Sequence, residues 1–215
     1  MKILFFGDSI TDAERNRPHD TIIYGLGYGY VRVIADRIMS EKPNEYTIVN
    51  RGISGNRIVD LYSRMKSECT NLQPDVISIL IGVNDVWHEI DSKNGVEIDR
   101  FEQIYRMMIQ YFKKALPNVK IILCEPFVLE GSATKSTEEM PDRWQRFQEV
   151  YDYAKVTKKL AEEFKLPFVP LQQKLEEGAK KYGVEHYLRD GVHPAVGGAN
   201  LLAEEWVKVF KENIK

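Results

Sequence analysis

Lys2-Ile-Leu-Phe-Phe-Gly-Asp-Ser-Ile-Thr11 opens the chain, and the remaining sequence is organised around it. Ile3 to Phe6 run without a polar break, as strands buried on both faces of a parallel sheet do. The run stops at Gly7, and Asp8-Ser9 follows at once. A small hydroxyl residue at the carboxyl end of a buried strand sits where open α/β sheets place their ligands. A strand ending in an ordinary turn of Gly, Asp and Ser would look the same. The rest of the chain has to decide between the two.

Beyond Ser9, short apolar runs alternate with amphipathic stretches, the pattern of a parallel sheet with crossover helices. Asp12 to Thr21 reads as a surface loop. Gly25-Leu-Gly27-Tyr-Gly29 misses the dinucleotide fingerprint and does not follow a strand, so it reads as a tight entry into a helix. That helix carries Val31, Ile34, Ala35 and Ile38 at helical spacing. Tyr46 to Val49 is a second strand, and Asn50-Arg-Gly-Ile-Ser-Gly-Asn56 is the loop after it. A helix with Ile58, Leu61, Tyr62, Met65 and Cys69 on one side leads to the most apolar strand, Val76 to Ile81, which ends in Gly82-Val-Asn84-Asp85. A long helix through Ile98, Phe101, Tyr105, Met108 and Phe112 stops before Pro117, and a fourth strand spans Val119 to Cys124.

The connection Glu125 to Asp142 is long enough to be functional, as a lid or a subunit contact. A helix around Trp144 to Phe164, a short strand at Phe168-Val169 and a helix around Gln172 to Lys181 come next. They lead to Tyr187-Leu-Arg-Asp190-Gly-Val-His193-Pro194 and a last helix, Ala199 to Phe210. Five strands with right-handed crossovers predict an α/β fold: a three-layer αβα sandwich on a five-stranded parallel, flavodoxin-like sheet of order 2-1-3-4-5.

Composition narrows the class. A chain of 215 residues with 43% apolar and 29% charged side chains suits one soluble globular domain over residues 1–215. Thirty basic against 32 acidic residues leave a formal charge of −2, so no basic stripe argues for nucleic acid. No apolar run approaches the roughly 18 residues of a membrane span. Nor is there a signal-peptide core of about 7–15 residues, so the chain as given reads as cytoplasmic. Cys69 and Cys124 read as small buried hydrophobes, and four His without a Cys-x-x-Cys give little support to a metal site.

The polar residues that carry chemistry fall at the ends of strands: Ser9 after the first, Gly52 after the second, Asn84 after the third, Asp190 and His193 after the last. In a parallel sheet those ends share one edge, so residues far apart in sequence converge. Acyl transfer from an ester needs a nucleophile, a base, a group to orient the base, and donors for the oxyanion. Ser9 supplies the hydroxyl, and His193 can take its proton and return it to the leaving alkoxide. Asp190, three residues before His193, can fix the imidazole tautomer. A Gly at position 52 allows its N–H to approach an oxyanion, or serves a left-handed turn. The Asn84 amide is a further donor, or a cap for the helix or turn beyond it. Ser54 is one residue short of a nucleophile elbow, Ser78 lies mid-strand, and neither His19, His88 nor His186 has an Asp three residues before it. Paired carboxylates among Glu89, Asp91 and Glu125 would suit glycoside hydrolysis, but nothing fixes their separation.

Gly7-Asp-Ser9-Ile-Thr, Gly52, Gly82-Val-Asn84-Asp85 and Asp190-Gly-Val-His193-Pro194 resemble, in order, the four blocks of the SGNH (GDSL-type) hydrolase superfamily. The resemblance implies Ser9 as nucleophile with Asp190 and His193 as partners. It implies Ser9 N–H, Gly52 N–H and Asn84 as oxyanion hole, and the ester chemistry requires no metal or organic cofactor. Asn50 to Asn56, Gly82 to Trp87 and Pro126-Phe127 look like the bacterial acetylxylan esterases of the superfamily. That likeness implies removal of O-acetyl groups from acetylated xylo-oligosaccharides, and a homo-oligomer. Trp87 and Tyr187 are the expected substrate-binding aromatics, although Trp87 could equally pack its loop against the next helix. A short-chain acyl esterase, thioesterase or lysophospholipase would use the same residues. A non-catalytic binding module that kept the fold is the alternative from another class.

Overall fold

A computed structural model describes residues 1–19 and 23–214. Its five strands are β1 (Lys2–Gly7), β2 (Thr47–Gly52), β3 (Val76–Leu80), β4 (Lys120–Cys124) and β5 (Phe168–Val169). All pairings are parallel, in the order β2-β1-β3-β4-β5, which is the order expected from the apolar runs. Around them lie α1 (Ser9–Asp12), α2 (Tyr30–Glu41), α3 (Ile58–Arg64), α4 (Val83–Ser92) and α5 (Ile98–Ala115). The later helices are α6 (Arg143–Phe147), α7 (Val150–Phe164), α8 (Gln172–Tyr182), α9 (Val184–Tyr187) and α10 (Val196–Asn213).

The apolar run of β1 is explained by cover on both faces. Phe5 meets Tyr30 of α2 and Trp206 of α10, with ring centroids 5.8 and 5.1 Å away. Phe6 points the other way, where the Arg64 guanidinium of α3 lies 4.4 Å from its ring centroid. Helices α2 and α10 pack together on one layer, and α3, α5 and α7 pack on the other. Ser78 of β3 faces the α10 layer and is buried there, accepting from Trp206 Nε1 at 2.9 Å. Both cysteines are buried and unpaired, and burial pushes each thiol up to about 12, so neither is a ready thiolate.

Several boundaries differ from the sequence reading. Strand β2 runs on to Gly52, because Asn50 to Gly52 pair with Phe5 to Gly7. Helix α3 ends at Arg64, and the chain then widens through bonds from Thr70 N to Met65 O and Asn71 N to Lys66 O. Cys69 therefore reaches the core from a wide turn, and Tyr62 is exposed. The helix expected around residues 144–164 is two, α6 and α7. The loop expected over 12–21 begins with buried Asp12, has Arg15 buried within it, and ends among residues 20–22, outside the described residues.

Candidate active site

Gly7 lets β1 turn into α1 against its neighbours. A Cβ there would come within 2.4 Å of Thr11 Oγ1 and 2.5 Å of the Leu80 carbonyl. Asp8 caps the turn, its Oδ1 accepting from Ile10 N at 2.9 Å. The other carboxylate oxygen of Asp8 is buried with no partner. Burial pushes Asp8 up to about 7, against the pull of the Ile10 amide and His193. Ser9 then opens α1, half-buried at the sheet's carboxyl edge.

Ser9 Oγ lies 3.0 Å from His193 Nε2, and His193 Nδ1 lies 2.6 Å from Asp190 Oδ2. The other Asp190 oxygen accepts from the amides of Val192 and His193 at 2.9 and 2.8 Å. Burial alone would raise the Asp190 pKa, but His193 and those two amides outweigh it and hold the carboxyl at about 2. A carboxylate, an imidazole and a hydroxyl thus stand in line. Such a line can move a proton from oxygen to nitrogen while the carboxylate stabilises the imidazolium.

Residues 125–142 act as a brace rather than a detached flap. Leu129 N donates to Gly191 O at 2.8 Å and Ala133 N to Asp190 O at 2.9 Å, which fixes the turn that carries His193. Phe127, Val128 and Leu129 are buried beneath it. Arg143, just past this segment, donates to Asp91 Oδ1 at 2.6 Å. Asp91 Oδ2 accepts from Trp87 Nε1 at 2.7 Å.

The cleft in front of Ser9 encloses about 450 Å³ and is lined by Ser9, Ser54, Gly55, Trp87, His88 and His193, with Asn84, Asp91 and Ser92 along one wall. Asn84 Nδ2 spends one hydrogen on Asn56 O at 3.1 Å, which leaves the other for a ligand. Ser54 is held by Asp12, whose Oδ2 accepts its N–H at 3.0 Å and its hydroxyl at 3.2 Å. Gly55 has φ +81°, and the nearest atom to a Cβ there would be His88 Nε2 at 4.0 Å.

Two expected site residues lie elsewhere. Gly52 is not in the cleft: its N–H is bound to Asn50 Oδ1 at 2.9 Å, and a Cβ on it would meet Asp12 N at 2.1 Å. The glycine at the cleft is Gly55, three residues on in the same Asn-Arg-Gly-Ile-Ser-Gly segment. Tyr187 also lies away from it. Its ring fills the space above Gly178, where a Cβ would be 2.5 Å from Cζ, and stands 4.9 Å from the His186 ring centroid. Trp87 is in the cleft, its ring centroid 5.9 Å from that of His193. It belongs to helix α4, not to a loop.

The other candidates fall away on position. His186 and His19 are exposed, and His186 sits between Tyr182 and Tyr187. Glu125 is taken up by the amides of Leu171 and Gln172 at 2.5 and 2.9 Å, so of Glu89, Asp91 and Glu125 only Asp91 lines the cleft. The sequence reading gives Gly55, Ser54 and Ser92 no place in the cleft and weighs Asp91 only as a carboxylate for glycoside hydrolysis, whereas His88 is expected beside Trp87 at the pocket rim and is found there. Four of the α4 wall residues follow Asn84 at i+3, i+4, i+7 and i+8, one helical face. That spacing was the available signal.

The chain resembles known proteins over nearly its whole length. Residues 5–201 match the GDSL-like Lipase/Acylhydrolase family. An acetylxylan esterase of Geobacillus stearothermophilus is 36% identical over 214 residues, covering 96% of this chain and 92% of that protein. A crystal structure of an acetylxylan esterase from the same organism superposes with a TM-score of 0.82 at 34% identity, over 97% of this chain and 93% of that one. A GDSL-like lipase structure from Parabacteroides merdae reaches a TM-score of 0.87 at 37% identity, over 98% and 95%.

Proposed function

The chain belongs to the GDSL-like lipase/acylhydrolase family and is a carboxylic ester hydrolase, and from that premise we propose that it removes O-acetyl groups from short acetylated xylo-oligosaccharides through an acetyl-Ser9 intermediate. The observation that carries the reading is the line from Ser9 Oγ through His193 to Asp190, at 3.0 and 2.6 Å.

Ser9 Oγ attacks the acetyl carbonyl carbon while His193 Nε2 takes the hydroxyl proton. The carbonyl oxygen becomes an oxyanion facing the amides of Ser9 and Gly55 and the unspent hydrogen of Asn84. As the tetrahedral intermediate collapses, the C–O bond to the sugar breaks and His193 returns the proton to the departing alkoxide. Water then attacks acetyl-Ser9 with His193 as base, acetate leaves, and the Ser9 hydroxyl is restored. Asp190 stabilises the imidazolium in both halves and keeps its own proton off throughout.

The cleft favours a sugar over a long acyl chain. Ser54, Asn84, His88, Asp91 and Ser92 are polar, and Trp87 is the large apolar surface among its lining residues. A lysophospholipase or long-chain thioesterase would need an apolar channel instead. Polymeric xylan does not enter cells, so short oligosaccharides in the cytoplasm belong to the same proposal. Among the described residues no helix is long and apolar enough to cross a membrane. A homo-oligomer is part of this reading too, by analogy with the family.

Acetate release from acetylated xylo-oligosaccharides, set against hydrolysis of butyryl, octanoyl and thioester substrates, tests the substrate. The acetylated oligosaccharides are expected to have the highest kcat/KM. Preference for octanoyl esters would overturn the carbohydrate reading, and full activity of Ser9→Ala would overturn the mechanism.

A further inference from the structure

Helix α4 forms the wall of the cleft from its first turn to its last. Asn84, Trp87, His88, Asp91 and Ser92 share the face that lines it, while Asp85, Val86 and Ile90 are buried behind. From Asn84 to Ser92 that wall climbs about 12 Å, at ~1.5 Å per residue. The foot of the wall is the oxyanion side, so its length must accommodate the rest of the ester.

His88 is the unassigned group on it. Among the described residues nothing accepts from or donates to its ring nitrogens. Its neighbours on the wall are occupied. Asp91 is shared between Arg143 and Trp87, and the Ser92 hydroxyl donates to the His88 carbonyl at 2.8 Å. Partial burial, followed by the charge of Arg57, pushes the His88 imidazole below its usual pKa, against Asp60 and Asp91. A neutral imidazole offers one donor and one acceptor, the same pair that a sugar hydroxyl requires in return.

We propose that the His88 face of α4 is the leaving-group subsite, and that His88 determines specificity by hydrogen bonding a free hydroxyl on the alcohol half of the ester. This rests on the esterase reading above and deepens it. The alcohol lies on this side because its oxygen must reach His193 Nε2 to collect a proton, and Trp87 of the same wall is packed against the His193 ring. An alcohol with no hydroxyls finds no partner for His88. One with a free hydroxyl beside the ester supplies the donor and acceptor that the imidazole lacks.

The test uses the whole chain and three probes: a methyl xyloside monoacetate with free hydroxyls, the fully acetylated methyl xyloside with none, and 4-nitrophenyl acetate. His88→Phe keeps the ring and removes both hydrogen-bonding atoms. Its kcat/KM on the monoacetate is expected to fall at least tenfold more than on the other two probes, mainly through KM. His88→Gln, which can donate and accept, is expected to recover a large part of that loss. Equal losses on all three probes, or no loss on the monoacetate, would overturn the proposal. So would a gain on 4-nitrophenyl butyrate, run as a control for acyl length, with monoacetate turnover intact, which would place His88 beside the acyl group. A wild-type chain inactive on all three would remove the esterase reading itself, and this inference with it.

Discussion

Asn50 Oδ1 accepts the Gly52 amide hydrogen at 2.9 Å, while Asn50 Nδ2 donates to the carbonyls of Thr11 and Leu26 at 2.7 and 2.9 Å. One fully buried side chain thereby ties the end of β2 to the helix that begins with Ser9. It also turns Gly52 inward, against the Asp12 backbone, and leaves Gly55 to face the cleft.

Alanine substitutions separate the two glycines. In Gly52→Ala the new Cβ would lie 2.1 Å from Asp12 N, backbone that cannot easily give way. We expect a stability loss of ~1–3 kcal/mol, or failure to fold. At Gly55 there is space, with the nearest atom 4.0 Å away, and the cost is the backbone angle of φ +81°. Relaxing that angle moves the amide from the oxyanion, so kcat should drop about 10²-fold, with a smaller loss of stability. Urea midpoints measured beside kcat on 4-nitrophenyl acetate decide the matter. Unaltered kcat in a folded Gly55→Ala protein would exclude that amide as a donor.

Asp190→Asn should keep the turn and lose the chemistry. An asparagine oxygen can still accept the Val192 and His193 amides now held at 2.9 and 2.8 Å. Its NH₂ would then face His193 Nδ1 and force that nitrogen to accept. The ring proton moves to Nε2, pointing at Ser9, where a base is needed. kcat should fall roughly 10³–10⁴-fold with little change in melting temperature. Retention of a tenth of wild-type kcat would show that the tautomer is set some other way.

Part of the candidate site was legible from the sequence, and for two separate reasons. Asp190 and His193 are three residues apart in one turn, and Ser9 and Asn84 follow apolar runs that identify themselves as strands. The strand order followed from the same runs. What stayed hidden depends on contacts across the fold. Gly52 and Gly55 lie three residues apart in one stretch, and only the reach of Asn50 to Thr11 and Leu26 separates their roles. Helix α4 was obscured because its polar face lines a cleft, leaving Val83, Val86 and Ile90 as a thin apolar signal. Tyr187 misled because the space it fills is opened by Gly178, nine residues earlier, and not by the cleft.

Arg143 should matter for binding more than for turnover. It grips Asp91 at 2.6 Å and the Ala133 carbonyl at 2.8 Å, joining the brace over His193 to the wall that carries Trp87. Asp91 is partly exposed, so the ion pair itself contributes little to stability. Its role is to hold the carboxylate that orients the indole. Arg143→Met should raise KM for acetylated oligosaccharides about two- to tenfold with kcat nearly constant. A fall in kcat at constant KM would mean that the residue supports the His193 turn instead.

Asp85 supplies a pH test whose sign is fixed by its surroundings. Its Oδ1 accepts from Ile58 N at 3.0 Å, and its Oδ2 is buried without a partner. Burial raises its pKa to about 8, opposed by the Ile58 amide and Arg57 and assisted by Asp8. An unfolded Asp titrates near ~3.9. Below about pH 4 the group is protonated in both states and costs nothing. As pH rises from there to about 8, the unfolded chain releases a proton that the fold retains, so stability drains away across that window. Asp8, raised to about 7, drains it in the same direction, whereas Asp190, held at about 2, acts only below about pH 4. Asp85→Asn removes one of these losses while adding a pH-independent cost of ~1–3 kcal/mol for its unpaired amide. Urea unfolding at pH 5 and pH 8 should therefore show the variant gaining on the wild type by on the order of a few kcal/mol. A difference that stays constant across that range would mean Asp85 is ionised in the folded protein, with an undetected partner for its second oxygen.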